Sequence, residues 1–162
     1  MHLHGRDHLD SRDRANRQRR QTKVGCACFR IDTQGVLRIL LITSARGAWI
    51  IPKGTVEEGQ SPEAAALQEA WEEAGVHGWI MGQTLGTWLY ARADAHNDAR
   101  HDAVPVLPVW IDELAKVWPE DHKRQRRWSS LREALELIQD EGLRRVLITL
   151  ARRAGSGGLR AA

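Results

Sequence analysis

Residues 61–75 (SPEAAALQEAWEEAG) spell out a helix with both ends marked. Ser61 has a hydroxyl that can cap free N–H groups, and Pro62 has the fixed φ of a first helical position. Gly75 stands where a left-handed C-terminal cap belongs. Each helical residue advances about 100°. Counted from Glu69, the residues Leu67, Ala70, Trp71 and Ala74 fall at about 100° to 200°, while Glu72 and Glu73 fall within about 60° of it. One face is therefore apolar and can dock on a sheet, and the other carries three carboxylates. Glu72 and Glu73 lie three and four residues from Glu69, spacings at which like charges repel. No Lys, Arg or Asp occurs between Gly54 and Val76, which with its six glutamates carries −6. The chain as a whole carries +3, so everything else carries +9. An acidic ridge inside a basic protein suggests a hard divalent cation facing an anionic ligand.

The flanking segments predict the rest of the fold. Residues 24–31 (VGCACFRI) and 36–43 (VLRILLIT) are strand-forming runs separated by Asp32-Thr33-Gln34-Gly35. A third short run, Trp49-Ile50-Ile51, stops at Pro52 and leads to Gly54. Strand-like runs recur in residues 79–91 and 104–111, with a polar linker over 92–103. Pro105 and Pro108 predict that the later strand is irregular or at a sheet edge. Ser130 with Glu133 resembles a capping box ahead of Leu131, Ala134, Leu135 and Ile138, and Leu143, Val146, Leu147 and Leu150 repeat at helical spacing beyond Gly142. Strands cluster instead of alternating regularly with helices. The expected class is α/β in the α+β sense, a mixed curved sheet between helices.

Length and composition narrow the function classes. A chain of 162 residues suits one domain, expected over 21–154, with a basic tail over 1–20 and a Gly-rich tail over 155–162. No apolar run is long enough to cross a membrane, and no apolar core follows the charged start, so a cytoplasmic location is expected. Cys26 and Cys28 would share one face of a strand, badly placed for a mutual disulfide and too few for a zinc site; buried core thiols are expected. His96 and His101, with Asp98 and Asp102, read as a polar surface loop. Trp49 and Trp128 could stack on a base or pack against the core.

The segment from Gly54 to Val76, GTVEEGQSPEAAALQEAWEEAGV, resembles a Nudix box: a glycine, five residues, a glutamate, seven residues, then Arg-Glu-aliphatic-x-Glu-Glu-x-Gly-aliphatic. Gly54, Glu69, Glu72, Glu73, Gly75 and Val76 stand at matching positions. The resemblance implies a Nudix fold and a hydrolase that uses Mg²⁺ or Mn²⁺ to cleave a phosphoanhydride bond. It implies Glu73 as a metal ligand, Glu69 as ligand or general base, Glu72 as ligand or support through water, and the Gly54 carbonyl as a further ligand. Two positions depart from the pattern, with Gln60 for the first glutamate and Gln68 for the arginine. Two amides can hydrogen-bond to each other and to a carboxylate, so the pair is expected to keep the contact without the charges.

Beyond the box, the segments RQTK at 20–23, ILLITSARGAWIIPKGT and HKRQRRW are similar to diphosphoinositol polyphosphate phosphohydrolases, which also act on diadenosine polyphosphates. By position, the resemblance makes Lys23, Ser44, Arg46, Lys53, Arg100, Lys123, Arg124 and Arg126 candidate phosphate binders. The implied substrate is a small diadenosine or inositol polyphosphate first and an ADP-ribose-type diphosphate second, acted on by a monomer or homodimer. Two rival classes remain. One is a Nudix-fold binding module without catalysis, which the two glutamines would permit. The other is an RNA-acting hydrolase, which the Arg-rich start permits but no basic-aromatic interleaving favours.

Overall fold

The computed structural model describes residues 22–92 and 100–159, without the side chains of Arg92 and Arg100. The expected N-terminal tail, His96, Asp98, the Arg100 side chain and the last three residues lie outside the described residues. In chain order the described elements are β1 (Lys23–Ile31), β2 (Leu37–Thr43), β3 (Trp49–Ile50), β4 (Lys53–Thr55), α1 (Pro62–Ala74), β5 (Val76–Ile80), β6 (Gly86–Arg92), β7 (Arg100–Leu114), β8 (Arg126–Ser129), α2 (Leu131–Leu137) and α3 (Glu141–Gly155).

All the strands join one mixed sheet. Its central path runs β3-β2-β1-β7-β5, with β4 added to β1, β6 to β7 and β8 to β2. β1 and β7 run parallel, with Gly25 opposite Val106, and the other pairings are antiparallel. The run Val24–Phe29 is buried without a break, as a strand covered on both faces requires. On one face α1 lies close, because the residues it buries are mostly alanines: Ala65, Ala66, Ala70 and Ala74. The Cys26 thiol donates to the Ala66 carbonyl at 2.9 Å, tying strand to helix. Both cysteines are buried free thiols, as their spacing predicts, and burial pushes both thiols well up from their usual range. α3 buries Leu143, Val146, Leu147 and Leu150 and packs on β6, while α2 packs on β2 and β8. Among the described residues no helix is long and apolar enough to cross a membrane.

The expected caps Ser61 and Ser130 hold, and Asp140, not named from the sequence, caps α3, which begins at Glu141, ahead of Gly142. Ser61, Ser130 and Asp140 each accept a bond from the backbone N–H three residues on, at 3.0–3.2 Å. Gly75 sits at φ 67°, a left-handed cap that a side chain would strain.

Of the two outcomes expected from the prolines, the irregular strand is present, since the β5–β7 register shifts between His77 and Gly78, but the sheet edge is overturned. β7 is not an edge strand; it is the long central one, paired with β1 on one side and with β5 and β6 on the other. Its prolines occupy places where a missing N–H costs little. Pro105 precedes Val106, where pairing with β1 begins. Pro108 gives its carbonyl to Met81 at the changeover from β5 to β6. The polar linker also shortens, because the hairpin pairs Ala91 with His101 and Tyr90 with Asp102. His101 and Asp102 are thus strand residues, not loop residues.

Candidate active site

The acidic face of α1 is built against β4. Pairing of Gly54 with Val24 fixes the β4 backbone on the central sheet. The Glu69 side chain then folds onto the Gly54 α-carbon so closely that an added Cβ would overlap its carboxylate. Only glycine leaves that space, which gives a physical reason for the first residue of the motif. Glu69 has no ion pair among the described residues. Burial, then the charges of Glu72 and Glu120, push its pKa up to about 7.

Glu73 is the one buried carboxylate of the described core, at 7% exposure. One oxygen accepts the Lys53 backbone N–H at 3.3 Å, and the other meets the Arg124 guanidinium at 3.1 Å. Burial still outweighs the arginine and lifts its pKa to about 7, with Glu69 and Glu120 adding to the rise. Glu69 and Glu73 therefore sit desolvated in each other's field, a state that a bound cation relieves.

The two glutamines form a relay. Gln60 Nε2 donates to Gln68 Oε1 at 2.8 Å, and Gln68 Nε2 donates to Glu72 Oε1 at 2.8 Å. The expected amide contact is present, and the carboxylate it holds is Glu72. Gln60 Oε1 also accepts the Glu57 backbone N–H at 3.1 Å, closing the turn ahead of the helix.

The segment between β7 and β8 brings groups that the sequence pattern did not single out. Glu120 pairs with Arg124 at 3.4 Å and raises both Glu69 and Glu73. Its approach depends on a tertiary contact, so no spacing rule could have found it. Arg124 also donates to the Thr43 carbonyl at 2.9 Å. Arg126, expected at a phosphate, instead directs its guanidinium to the carbonyls of Ala74 and Ala115, at 3.0 and 2.8 Å.

The other expected phosphate binders separate into two groups. Lys53 points toward Glu73, its Nζ lying 3.9 Å from the centre of the Tyr90 ring; burial lowers its pKa against the pull of Glu73. Lys23 adds its charge to the same place and pairs with Asp102 at 3.8 Å. Ser44, Arg46 and Lys123 lie outward: the Ser44 hydroxyl accepts the backbone N–H groups of Arg46 and Ala48, and Arg46 and Lys123 are exposed. Trp49 packs partly against the core, whereas Trp128 is 38% exposed. A groove of about 450 Å³ between β6 and α3, lined by Leu89, His101 and Arg145 among others, shares no residue with the acidic cluster.

Among the described residues no three His, Cys, Asp or Glu side chains close into a metal cage. Mg²⁺ keeps several waters and takes one or two carboxylates plus substrate phosphates. Glu69, unpaired and pressed on the Gly54 backbone, and Glu73 beside it are hard oxygen donors, so the donor set fits such an ion.

An open mixed sheet with a capped acidic helix seated on its central strand defines a class of small α+β proteins. The chain belongs to the Nudix hydrolase family, whose members act on pyrophosphate bonds: the NUDIX domain model matches residues 19–150. It is 38% identical over 128 residues to Nudix hydrolase 21, chloroplastic, of Arabidopsis thaliana, covering 76% of this chain and 63% of that protein. The chain thus spans less than two thirds of that relative's length. It is 31% identical over 121 residues to diphosphoinositol polyphosphate phosphohydrolase 3-alpha of Mus musculus, covering 72% of this chain and 68% of that one. The crystal structure of C. elegans Ap4A hydrolase shares the fold, with a TM-score of 0.60 at 19% identity, covering 82% and 96% of the two chains.

Proposed function

We propose that this chain is a Mg²⁺- or Mn²⁺-dependent pyrophosphohydrolase of a small organic polyphosphate, with a diadenosine or inositol polyphosphate as first candidate and an ADP-ribose-type diphosphate second. The observation that carries the reading is the Glu69 carboxylate, unpaired, half-buried and pressed on Gly54, with its pKa lifted to about 7. A desolvated carboxylate with no ion-pair partner is suited to take up a divalent ion.

Glu69 and Glu73 would hold the ion, with the Gly54 carbonyl as a further oxygen donor and Glu72 as ligand or support through water. Mg²⁺ or Mn²⁺ held there supplies Lewis-acid neutralisation of phosphate charge. Water attacks one phosphorus of the anhydride, Glu69 or a nearby group accepts its proton, and the bridging P–O bond breaks to release two phosphorylated products. Lys53 and Lys23 bind the phosphates that do not react, with Ser44, Arg46, Arg100 and Lys123 candidates for the outer end of a longer substrate. Arg124 holds Glu73 in place through its 3.1 Å contact. The proposed setting is the cytoplasm, where the buried Cys26 and Cys28 stay reduced.

The test is a panel of diadenosine polyphosphates, inositol pyrophosphates, ADP-ribose and nucleoside triphosphates, each with Mg²⁺ and with chelator. Turnover of one class that requires metal and is abolished by Glu73→Gln supports the proposal. Tight binding across the panel without turnover overturns it in favour of a binding module.

A further inference from the structure

The C-terminal end of α1 is closed by a single segment. A helix leaves its last carbonyls without intrahelical partners. Here four successive carbonyls each accept a donor from residues 115–126. Glu72 O accepts the Glu120 N–H at 3.0 Å, and Gly75 O accepts the Ala115 N–H at 2.9 Å. Glu73 O accepts the Trp118 indole Nε1–H at 3.1 Å, and Ala74 O accepts Arg126 Nη1 at 3.0 Å. Arg126 in turn lies 3.7 Å from the centre of the Trp118 ring. Gly75 fits beneath the pair, where a Cβ would come within 3.0 Å of Trp118. The last turn of α1 has no basic residue of its own, so Arg126 supplies the cation that complements the helix dipole.

The same segment acts on the acidic face. Arg124 grips the Glu73 carboxylate, and Glu120 adds its charge to Glu69 and Glu73. Glu73 is therefore held twice, by its carbonyl through Trp118 and by its side chain through Arg124. A small rotation or slide of α1 would carry Glu69 off Gly54, so whatever fixes the helix end fixes the spacing of the cluster. We infer that Trp118 and Arg126 are positioning residues for the metal-binding carboxylates, setting the rotation and height of α1 through its C-terminal carbonyls. This rests on the proposed reading of Glu69 and Glu73 as the metal site.

Trp118→Phe tests it, because phenylalanine keeps a ring beneath Arg126 and deletes only the donor to Glu73 O. Arg126→Gln and Arg126→Lys form a second series. Mn²⁺ affinity is measured by electron paramagnetic resonance without substrate, beside kcat, KM and thermal melting. Trp118→Phe and Arg126→Gln are expected to stay folded and to lose ~10-fold in both Mn²⁺ affinity and kcat, with KM within about two-fold. Arg126→Lys recovers part of the loss. Trp79→Phe, at an indole that donates to Met81 Sδ, outside α1, at 3.2 Å, is expected to change nothing.

Folded Trp118→Phe and Arg126→Gln proteins with wild-type Mn²⁺ affinity and kcat overturn the inference. So does failure of both to fold, which assigns the pair to stability alone. A wild-type protein that binds Mn²⁺ but hydrolyses nothing refutes the proposed function and leaves the Mn²⁺ comparison to judge the clamp. A wild type that binds no Mn²⁺ refutes both.

Discussion

Gly54→Ala isolates the contact between β4 and the acidic helix. The backbone at Gly54 is outside the left-handed region, so alanine is compatible with its φ. The added methyl would come within 2.5 Å of Glu69 Oε2, and nearer still to the rest of the carboxylate. Ordinary non-bonded contact needs ~3.5 Å, so the carboxylate must retreat by at least ~1 Å. Misplacing a reacting group by that much costs ~100-fold in rate, or ~2.7 kcal/mol of barrier. Glu69 is only half-buried and can swing toward solvent, so the melting temperature should move by no more than a few degrees. The assay is kcat at saturating Mg²⁺ with the substrate found in the panel, beside a thermal melt. Glu69→Asp withdraws the carboxylate from the same space, so Gly54→Ala should add almost nothing to the defect of Glu69→Asp. Gly54→Ala with kcat within about three-fold of wild type, or full additivity in the double variant, would show that the close packing has no part in catalysis.

Three further outcomes are expected. Gln68→Arg alone should lower kcat by ~10-fold, because an unpaired cation would replace the amide relay to Glu72, and Gln60→Glu/Gln68→Arg should restore it; wild-type rates in both Gln68→Arg and Gln60→Glu would rule the relay out. The metal-free protein should lose stability as pH rises from 4.5 to 7, measured by urea unfolding in chelator. Glu69 and Glu73 have folded pKa values raised from 4.5 to about 7, so in that window the folded chain holds protons that the unfolded chain has released. The loss should be on the order of 2 kcal/mol, mostly from the buried Glu73, with Mg²⁺ reversing it; stability rising across the window would contradict the assigned direction. Ser61→Ala removes the 3.1 Å bond to the Ala64 N–H and should cost ~1 kcal/mol in urea unfolding, with kcat at saturating Mg²⁺ little changed.

Legibility in the sequence followed the range of the interaction. α1 was readable to the residue because Ser61, Pro62 and Gly75 act on neighbouring backbone. The Gln60–Gln68 contact was readable from the resemblance, while Glu72 as the carboxylate it reaches was shown only by the folded helix. β1 and β2 announced themselves by apolar runs. β8 did not, since its sequence is RRWS and its strand character comes from pairing with β2. β7 looked short because two prolines and a polar start hide a strand whose hydrogen bonds are supplied by three neighbours. Arg126 followed the basic run of a phosphate-binding segment, and only the folded chain shows a helix end within its reach. Trp118 and Glu120 carried no signal of their place at α1, because the helix residues they reach lie more than 40 positions away.

The parallel ladder in which Gly25 joins Val106 has a bearing on how the protein is made. Closing so long a stretch of chain is entropically costly and slow compared with forming a hairpin or a helix. α1 lies between those two strands in the sequence, and the segment that caps it comes after both. During synthesis the acidic helix therefore emerges after β1 and β4, on which it packs, but before the β1–β7 ladder can close and before its cap is made. The proposed metal site is completed only with the last third of the polypeptide, which brings Arg124 and Arg126 to α1.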